Sequence, residues 1–206
     1  MLNFDVKTVG PLGCNCVILW DPHSKLGVVV DPGDESERIA NSIKELDISV
    51  QAILLTHAHF DHVGACASLQ KLWNCPVCLH PEDIPMLKRL DAQTAGFGMP
   101  PIEKPEITPL GDPLPLGIQA LHTPGHSPGS ATFLADTTKG KAALTGDTLF
   151  AQGVGRSDLW GGSWETLEQS ILTQLYTLDP QTLVIPGHGP NTSIASERNC
   201  NPYVRA

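Results

Sequence analysis

The chain has 206 residues and carries 19 Gly and 18 Pro, with 17% charged side chains against roughly 25% in an ordinary globular domain. That balance excludes a coiled coil, and the apolar runs at 27–30 and 52–55 exclude a disordered chain. A formal charge of −9 leaves no basic stripe for nucleic acid or for an anionic lipid surface, and no apolar run approaches the roughly 18 residues of a spanning helix.

In chain order, β-type runs are predicted at 4–9, 16–20 and 26–30, the last ending in the turn Asp31-Pro32-Gly33. A helix follows over 35–46, with Ile39, Ile43 and Leu46 on one face. Residues 52–55 read as a buried strand, 64–72 as a helix and 76–79 as another strand. The Pro-rich stretch 99–115 reads as a surface loop. The second half repeats the scheme, with strands at 118–121, 131–134 and 142–144, a helix over 164–178 and a strand at 183–185. Strands in both halves with helices between them predict an α/β protein in which two sheets pack together under helices, as one domain over 1–206. The first ten residues include Asp5 and lack the basic start and apolar stretch of a signal peptide. The expected location is therefore the cytoplasm, or a plastid stroma if a transit peptide precedes this sequence.

Six cysteines (Cys14, Cys16, Cys66, Cys75, Cys78 and Cys200) are expected as reduced thiols in such a chain. Cys75-Pro76-Val77-Cys78 has redox-motif spacing, but it opens an apolar stretch and lacks a second pair of metal ligands, so packing is its expected role.

The eight histidines are clustered. Thr56-His57-Ala58-His59-Phe60-Asp61-His62 follows directly on an apolar strand. In an extended chain residues i and i+2 face the same way, so His57 and His59 can chelate one ion together. Asp61 and His62 fall in the turn that opens the next helix and point elsewhere, which offers ligands to a second ion. Three further pieces each follow a predicted strand: His126 in His122-Thr123-Pro124-Gly125-His126, Asp147 in Thr145-Gly146-Asp147, and His188 in Pro186-Gly187-His188-Gly189. Two ions require roughly six to eight protein ligands plus solvent, and five His with two Asp meet that number.

The run His57-Ala58-His59-Phe60-Asp61-His62, followed in order by His126, Asp147 and His188, resembles the metallo-β-lactamase superfamily over nearly the whole chain, from Asp31-Pro32-Gly33 to the Pro186–Gly189 loop. The resemblance implies a four-layer αβ/βα sandwich of two mixed sheets flanked by helices. It implies two divalent metal ions, zinc first, with iron and manganese as the other choices. His57, His59 and His126 would hold one ion, Asp61, His62 and His188 the other, and Asp147 would bridge them. Asp31 would support the ligands, and Asp61 and Asp147 would be the catalytic carboxylates.

Gly146-Asp147-Thr148-Leu149-Phe150, the run Gly153-Val154-Gly155-Arg156-Ser157-Asp158 and the loop Pro186-Gly187-His188-Gly189-Pro190 are similar to the short type II glyoxalases, the hydroxyacylglutathione hydrolases. That subgroup implies hydrolysis of an acyl-glutathione such as S-D-lactoylglutathione, to D-lactate and glutathione. Larger members carry a C-terminal helical domain that helps bind glutathione, whereas 18 residues follow His188 here. Arg156 and Asp158 are the candidate substrate-binding residues, because a guanidinium fork fits a carboxylate. The alternative for this pair is a structural ion pair with each other. Tyr203 and Arg205 are further candidates.

Two divalent ions a few Å apart lower the pKa of a bound water toward 7. A thiol with a pKa of about 8.5 leaves as thiolate without an acid beside it, whereas an amide nitrogen needs a proton. No Glu, Lys or Tyr adjoins the motifs, which favours a thioester or ester over a β-lactam. Alternative readings are a persulfide dioxygenase with one Fe(II) held by two His and one Asp, a lactonase or other ester hydrolase, and a non-catalytic metal-binding protein. The expected partner is a small-molecule substrate, with no nucleic acid and no membrane, and the expected assembly is a monomer or homodimer. His122 is expected to pack or to support a ligand, and His23 and His80 to lie on the surface. Trp73, Trp160 and Trp164 are expected in the core or at a rim, with Trp160 near enough to Arg156 in sequence to line a substrate groove.

Overall fold

In strand β3 (Leu26–Val30) Val28 and Val30 face one apolar cluster and Val29 faces another, and all three are fully buried. The same division of alternate residues recurs in β2 (Cys14–Trp20), where Cys16 and Ile18 oppose Val17 and Leu19, and in β4 (Ser49–Leu54), where Ile53 opposes Ala52 and Leu54. A strand that is apolar on both faces must be covered on both. The computed structural model describes residues 1–111 and 113–205 and shows what covers each side.

Strands β1 (Asn3–Val9), β2, β3, β4, β5 (Val77–Leu79) and β6 (Ile107–Pro109) form one sheet in that order. β1, β2 and β3 pair antiparallel, and β3 through β6 pair parallel. The second sheet contains β7 (Gln119–His122), β8 (Ala131–Thr137), β9 (Gly140–Gly146), β12 (Leu183–Pro186) and β13 (Thr192–Ser193), in the order β13-β12-β9-β8-β7. Only β9 and β12 run parallel there. A two-stranded ribbon, β10 (Leu149–Phe150) with β11 (Gly153–Val154), forms a separate small sheet whose Leu149 packs with Val184.

Between the sheets, Val17, Leu19, Val28 and Leu54 meet Phe133, Leu144 and Ile185. On the outer face of the first sheet lie α1 (Ser36–Glu45) and α3 (Cys66–Trp73), which bury Ile39, Ile43 and Leu69 against it. On the outer face of the second lie α6 (Trp164–Ser170) and α7 (Ile194–Cys200), whose Leu167 and Ile194 pack on Val184. Each such fully buried Leu or Ile contributes about 1.5–3 kcal/mol. The architecture is the expected four-layer αβ/βα sandwich of two mixed sheets.

Several elements depart from the sequence reading. The stretch expected as a loop contains β6, a three-residue edge strand with two exposed residues and no periodicity to betray it. Helix α4 (Ile84–Leu87), helix α5 (Leu90–Gly96) and α7 have no counterpart in the prediction, because each is short and buries only two residues. The helix expected over 164–178 is α-helical only to Ser170 and continues as a π-helical turn at Ile171–Leu175. Short α2 (Phe60–Val63) precedes α3. Among the described residues no helix is long and apolar enough to cross a membrane.

The loops that follow β3, β4, β9 and β12 meet at one edge of the sandwich. The Asp31 N–H donates to Leu54 O, Ala131 N–H to Thr56 O, Gly187 N–H to Gly146 O and Asn15 N–H to Gly187 O, so backbone bonds fix these loops to one another across both sheets.

Candidate metal centre

Four histidines are each held by one ring nitrogen from outside the cluster. The His62 Nδ1–H donates to Asp31 Oδ2 at 2.9 Å, and the His126 Nδ1–H to the Arg156 carbonyl at 2.7 Å. The His188 Nδ1–H donates to the Leu12 carbonyl at 3.1 Å, and the His57 Nδ1–H to Thr56 Oγ1 at 3.0 Å. Thr56 Oγ1 passes its own proton to Asp31 Oδ2 at 2.6 Å, and the Thr56 N–H donates to Asp31 Oδ1. Each ring thereby turns its Nε2 inward. Gly33 is required for this packing, since a Cβ there would run into the Asp61 carbonyl oxygen.

The inward nitrogens converge. His57 Nε2 lies 3.1 Å from His59 Nδ1, which lies 2.8 Å from His126 Nε2. His62 Nε2 lies 3.3 Å from His188 Nε2, and His188 Nε2 lies 3.2 Å from Asp61 Oδ2. Between these two groups sits Asp147, with Oδ1 3.4 Å from His62 Nε2 and 3.7 Å from His188 Nε2, and Oδ2 3.6 Å from His126 Nε2. Oδ1 is buried without a hydrogen-bond partner. Ring nitrogens and carboxylate oxygens gathered this closely, with Asp147 Oδ1 left unpartnered, are spaced as ligand atoms around a shared cation are.

The charge balance points the same way. Burial and the cationic neighbours around it push His57 well below the ordinary histidine value, and burial with His126 takes His59 down to about 3. Both rings are therefore neutral at pH 7 with lone pairs free. Burial opposes charge on His62, yet Cys14, Asp147, Asp31 and Asp61 outweigh it and hold the ring well above its usual value. Burial also opposes the ionised form of Asp147, but His62, His126 and His188 keep its carboxyl well below the usual range. The surroundings of His62 thus favour a positive charge, which a metal ion supplies as readily as a proton. The His57-His59-His126 and Asp61-His62-His188 groups each bring three ligand atoms within reach of one ion. His57, His62 and Asp147 form a further such group between them, and the donor set fits two divalent ions.

Functional residues without a sequence signal complete the frame. Asp83, fully buried, accepts the Ala58 N–H and the Ser127 hydroxyl through Oδ2 and the Gly129 N–H through Oδ1. Ala58 stands between His57 and His59, and Ser127 follows His126, so one carboxylate braces both ligand loops. Gln93 accepts the Phe60 N–H and donates to the carbonyls of Ala58 and Met86.

A cavity of about 550 Å³ opens over the cluster, with His59, Asp61, His126, Asp147 and His188 at its floor. Its walls are Leu12, Phe60, Phe97, Phe150 and Trp160, with Arg89 and Arg156 as its cations. Asp158, Tyr203 and Arg205 take no part in that lining. The Arg156 guanidinium is instead engaged by Asp158, through Nε to Oδ1 and Nη2 to Oδ2, both at 2.9 Å. His122 is exposed, stacks on His80 with 4.1 Å between centroids and donates from Nε2 to the Pro128 carbonyl. Glu82 stands near this pair, but face-to-face rings direct their lone pairs parallel instead of onto one ion. All six cysteines are free, and burial raises Cys75 and Cys78, which keeps them as packed thiols.

Residues 9–188 match the family described as the metallo-β-lactamase superfamily. The hydroxyacylglutathione hydrolase GloC of Haemophilus influenzae is 36% identical over 213 residues, covering 100% of this chain and 99% of its own. The crystal structure of the BLEG-1 B3 metallo-β-lactamase superposes with a TM-score of 0.90 at 34% identity, over 99% of this chain and 100% of that one. That of TTHA1623 in a di-iron-bound form gives 0.87 at 39% identity, over 97% and 100%. With the sandwich, the converging His and Asp side chains and these likenesses in hand, the chain belongs to the metallo-β-lactamase superfamily and is a metallo-hydrolase of it.

Proposed function

We propose that this protein hydrolyses thioesters at a binuclear metal centre, with acyl-glutathione as the substrate class. His57, His59 and His126 would hold one ion and Asp61, His62 and His188 the second, with Asp147 placed to serve both. The split of Oδ1 toward His62 and His188 and of Oδ2 toward His126 supports that sharing. When bound, the two ions supply a hydroxide at neutral pH and polarise the carbonyl of the substrate.

The observation that carries the thioester reading is the chemistry of the cavity. Among the described residues, its lining includes no Lys, Tyr or Glu, and Asp61 is held below the usual carboxylate range by His62 and His188 against its burial. No Lys, Tyr or Glu side chain therefore stands in the lining to protonate an amide nitrogen. A thiolate leaves without one. The chain's own residues orient the ligands, and Leu12, Phe97 and Phe150 give the cavity apolar walls above that floor. The name of the Haemophilus relative agrees with this substrate class.

The test is turnover of S-D-lactoylglutathione by protein reconstituted separately with zinc, iron and manganese, followed by loss of the thioester and release of free thiol. Hydrolysis that disappears in His57→Ala and Asp147→Ala is the expected result. Hydrolysis of β-lactams or lactones with none of any thioester overturns the reading, as does oxygen uptake on glutathione persulfide without thioester cleavage.

A further inference from the structure

Three of the large apolar side chains that stay exposed, Leu12 (44%), Phe97 (60%) and Trp160 (48%), stand together around the mouth of the metal cavity. Exposed apolar groups gathered at one cleft mark a binding surface for an apolar ligand. The same mouth carries two guanidinium groups that differ in state. Arg156 has Nε and Nη2 committed to Asp158. The Arg89 side chain has no ion pair or hydrogen bond among the described residues, and its guanidinium lies over the Trp160 ring, 4.8 Å from the centroid. A guanidinium stacked on an aromatic face keeps its in-plane N–H groups free, already oriented for a carboxylate.

Arg89 is also fixed relative to the reacting centre. It sits between α4 and α5, where its N–H donates to Met86 O and its carbonyl accepts the N–H groups of Ala92 and Gln93. Gln93, one turn onward, is bonded to Ala58 and Phe60 on either side of His59. A short chain of hydrogen bonds therefore connects the Arg89 backbone to the ligand loop.

Building on the thioester reading above, we propose that Arg89, held on Trp160, is the specificity-determining residue that binds a carboxylate on the thiol half of the substrate, while the apolar mouth takes an aliphatic acyl chain. The substrate class is an anionic amphiphile: an apolar acyl thioester of a carboxylate-bearing thiol. In a chain of formal charge −9, an Arg without a counter-ion at the cavity mouth is the group that attracts such an anion.

The test uses a matched pair, the S-hexanoyl thioesters of 3-mercaptopropionate and of its methyl ester, in which one methyl group replaces the negative charge. The metal-loaded wild type is expected to favour the anionic member in kcat/KM by about ten-fold or more, the scale of one charge-assisted hydrogen-bonded contact. Arg89→Ala is expected to bring that ratio to about one through KM, Arg89→Lys to leave part of it, and Arg89→Glu to invert it. Lys88→Ala removes a neighbouring charge outside the cavity lining and is expected to keep the wild-type ratio. A ratio that Arg89→Ala leaves intact, or that Arg156→Ala abolishes instead, overturns the assignment. If neither thioester is cleaved, the thioester reading fails by itself, and binding of S-hexylglutathione against its dimethyl ester, read by tryptophan fluorescence, decides Arg89 independently. Weaker binding of the free acid alone in Arg89→Ala supports the anion site, and equal binding in both proteins overturns it.

Discussion

Asp83 accepts the backbone N–H of Ala58 at 2.8 Å across 25 positions of sequence, and it is the only carboxylate among the described residues that joins the loop of His57 and His59 to the loop of His126. All three of its bonds come from donors, two at Oδ2 and one at Oδ1. An amide at this position has one acceptor oxygen, so Asp83→Asn sets an NH₂ group against a donor. The variant is expected to lose about 1–3 kcal/mol of stability through that unsatisfied buried contact. Metal affinity at the His57-His59-His126 group is expected to fall about 10- to 100-fold, as when partners that orient ligands are removed. Urea unfolding and a metal titration of the two proteins check both numbers.

The same residue has a pH signature. Burial raises the Asp83 carboxyl above its ordinary value, in spite of the three donors. Just above the ordinary carboxylate value, the folded state therefore holds a proton that the unfolded chain has released. By linkage, the contribution of Asp83 to stability is fully present below the unfolded pKa and falls as pH rises through the folded one. Asp83→Asn has no such group. The stability difference between metal-free wild type and Asp83→Asn is expected to shrink with rising pH in that window and to be flat above it. A difference that grows with pH would refute the assignment.

How much of this was legible in the residues depends on the kind of signal each one leaves. His57, His59, Asp61 and His62 stand within six positions, and chelation by near neighbours is a matter of spacing, which a sequence displays. His126, Asp147 and His188 each follow a strand, and the loops after strands are where an α/β sandwich brings residues together. Asp83 left no mark, because its partners are two backbone amides and a hydroxyl up to 46 positions away. The Leu12 and Arg156 carbonyls that orient His188 and His126 left none either, since every residue has a carbonyl. For Arg156 the sequence leaves two roles open, a carboxylate fork and an ion pair with Asp158, and the structure shows the ion pair formed. Arg89 lay in a segment with no predicted element, as α4 and α5 together bury too few residues to show a helical stripe.

Asp147→Asn separates a bridging carboxylate from one that serves a single ion. The wild-type oxygens face different groups, Oδ1 toward His62 and His188 and Oδ2 toward His126. Asparagine retains one oxygen and presents an NH₂ that repels a cation. The variant is expected to bind one ion where the wild type binds two, and to lose about 100-fold or more in hydrolysis, the scale of removing one charge-stabilising group at a reacting centre. Metal analysis after dialysis reads the stoichiometry. Retention of two ions at wild-type affinity would show that Asp147 does not bridge.

Gly187 tests whether the site depends on close backbone approach and not only on its ligands. A Cβ there would collide with Asp147 Oδ1 and press on His62 Cε1, while the Gly187 N–H is bonded to Gly146 O and its carbonyl to the Asn15 N–H. The loop cannot retreat without breaking bonds to both sheets. In Gly187→Ala the carboxylate of Asp147 must therefore move, which takes Oδ1 away from His62 and His188. A displacement of about 1 Å at a reacting centre costs about 100-fold in rate. Activity and second-ion affinity are expected to fall together, with unfolding changed by only about 1–3 kcal/mol, the scale of overpacking by one methyl group. If Gly187→Ala instead binds two ions and hydrolyses at the wild-type rate, Asp147 has freedom that the buried, partnerless position of its Oδ1 does not allow, and the bridging role fails with it.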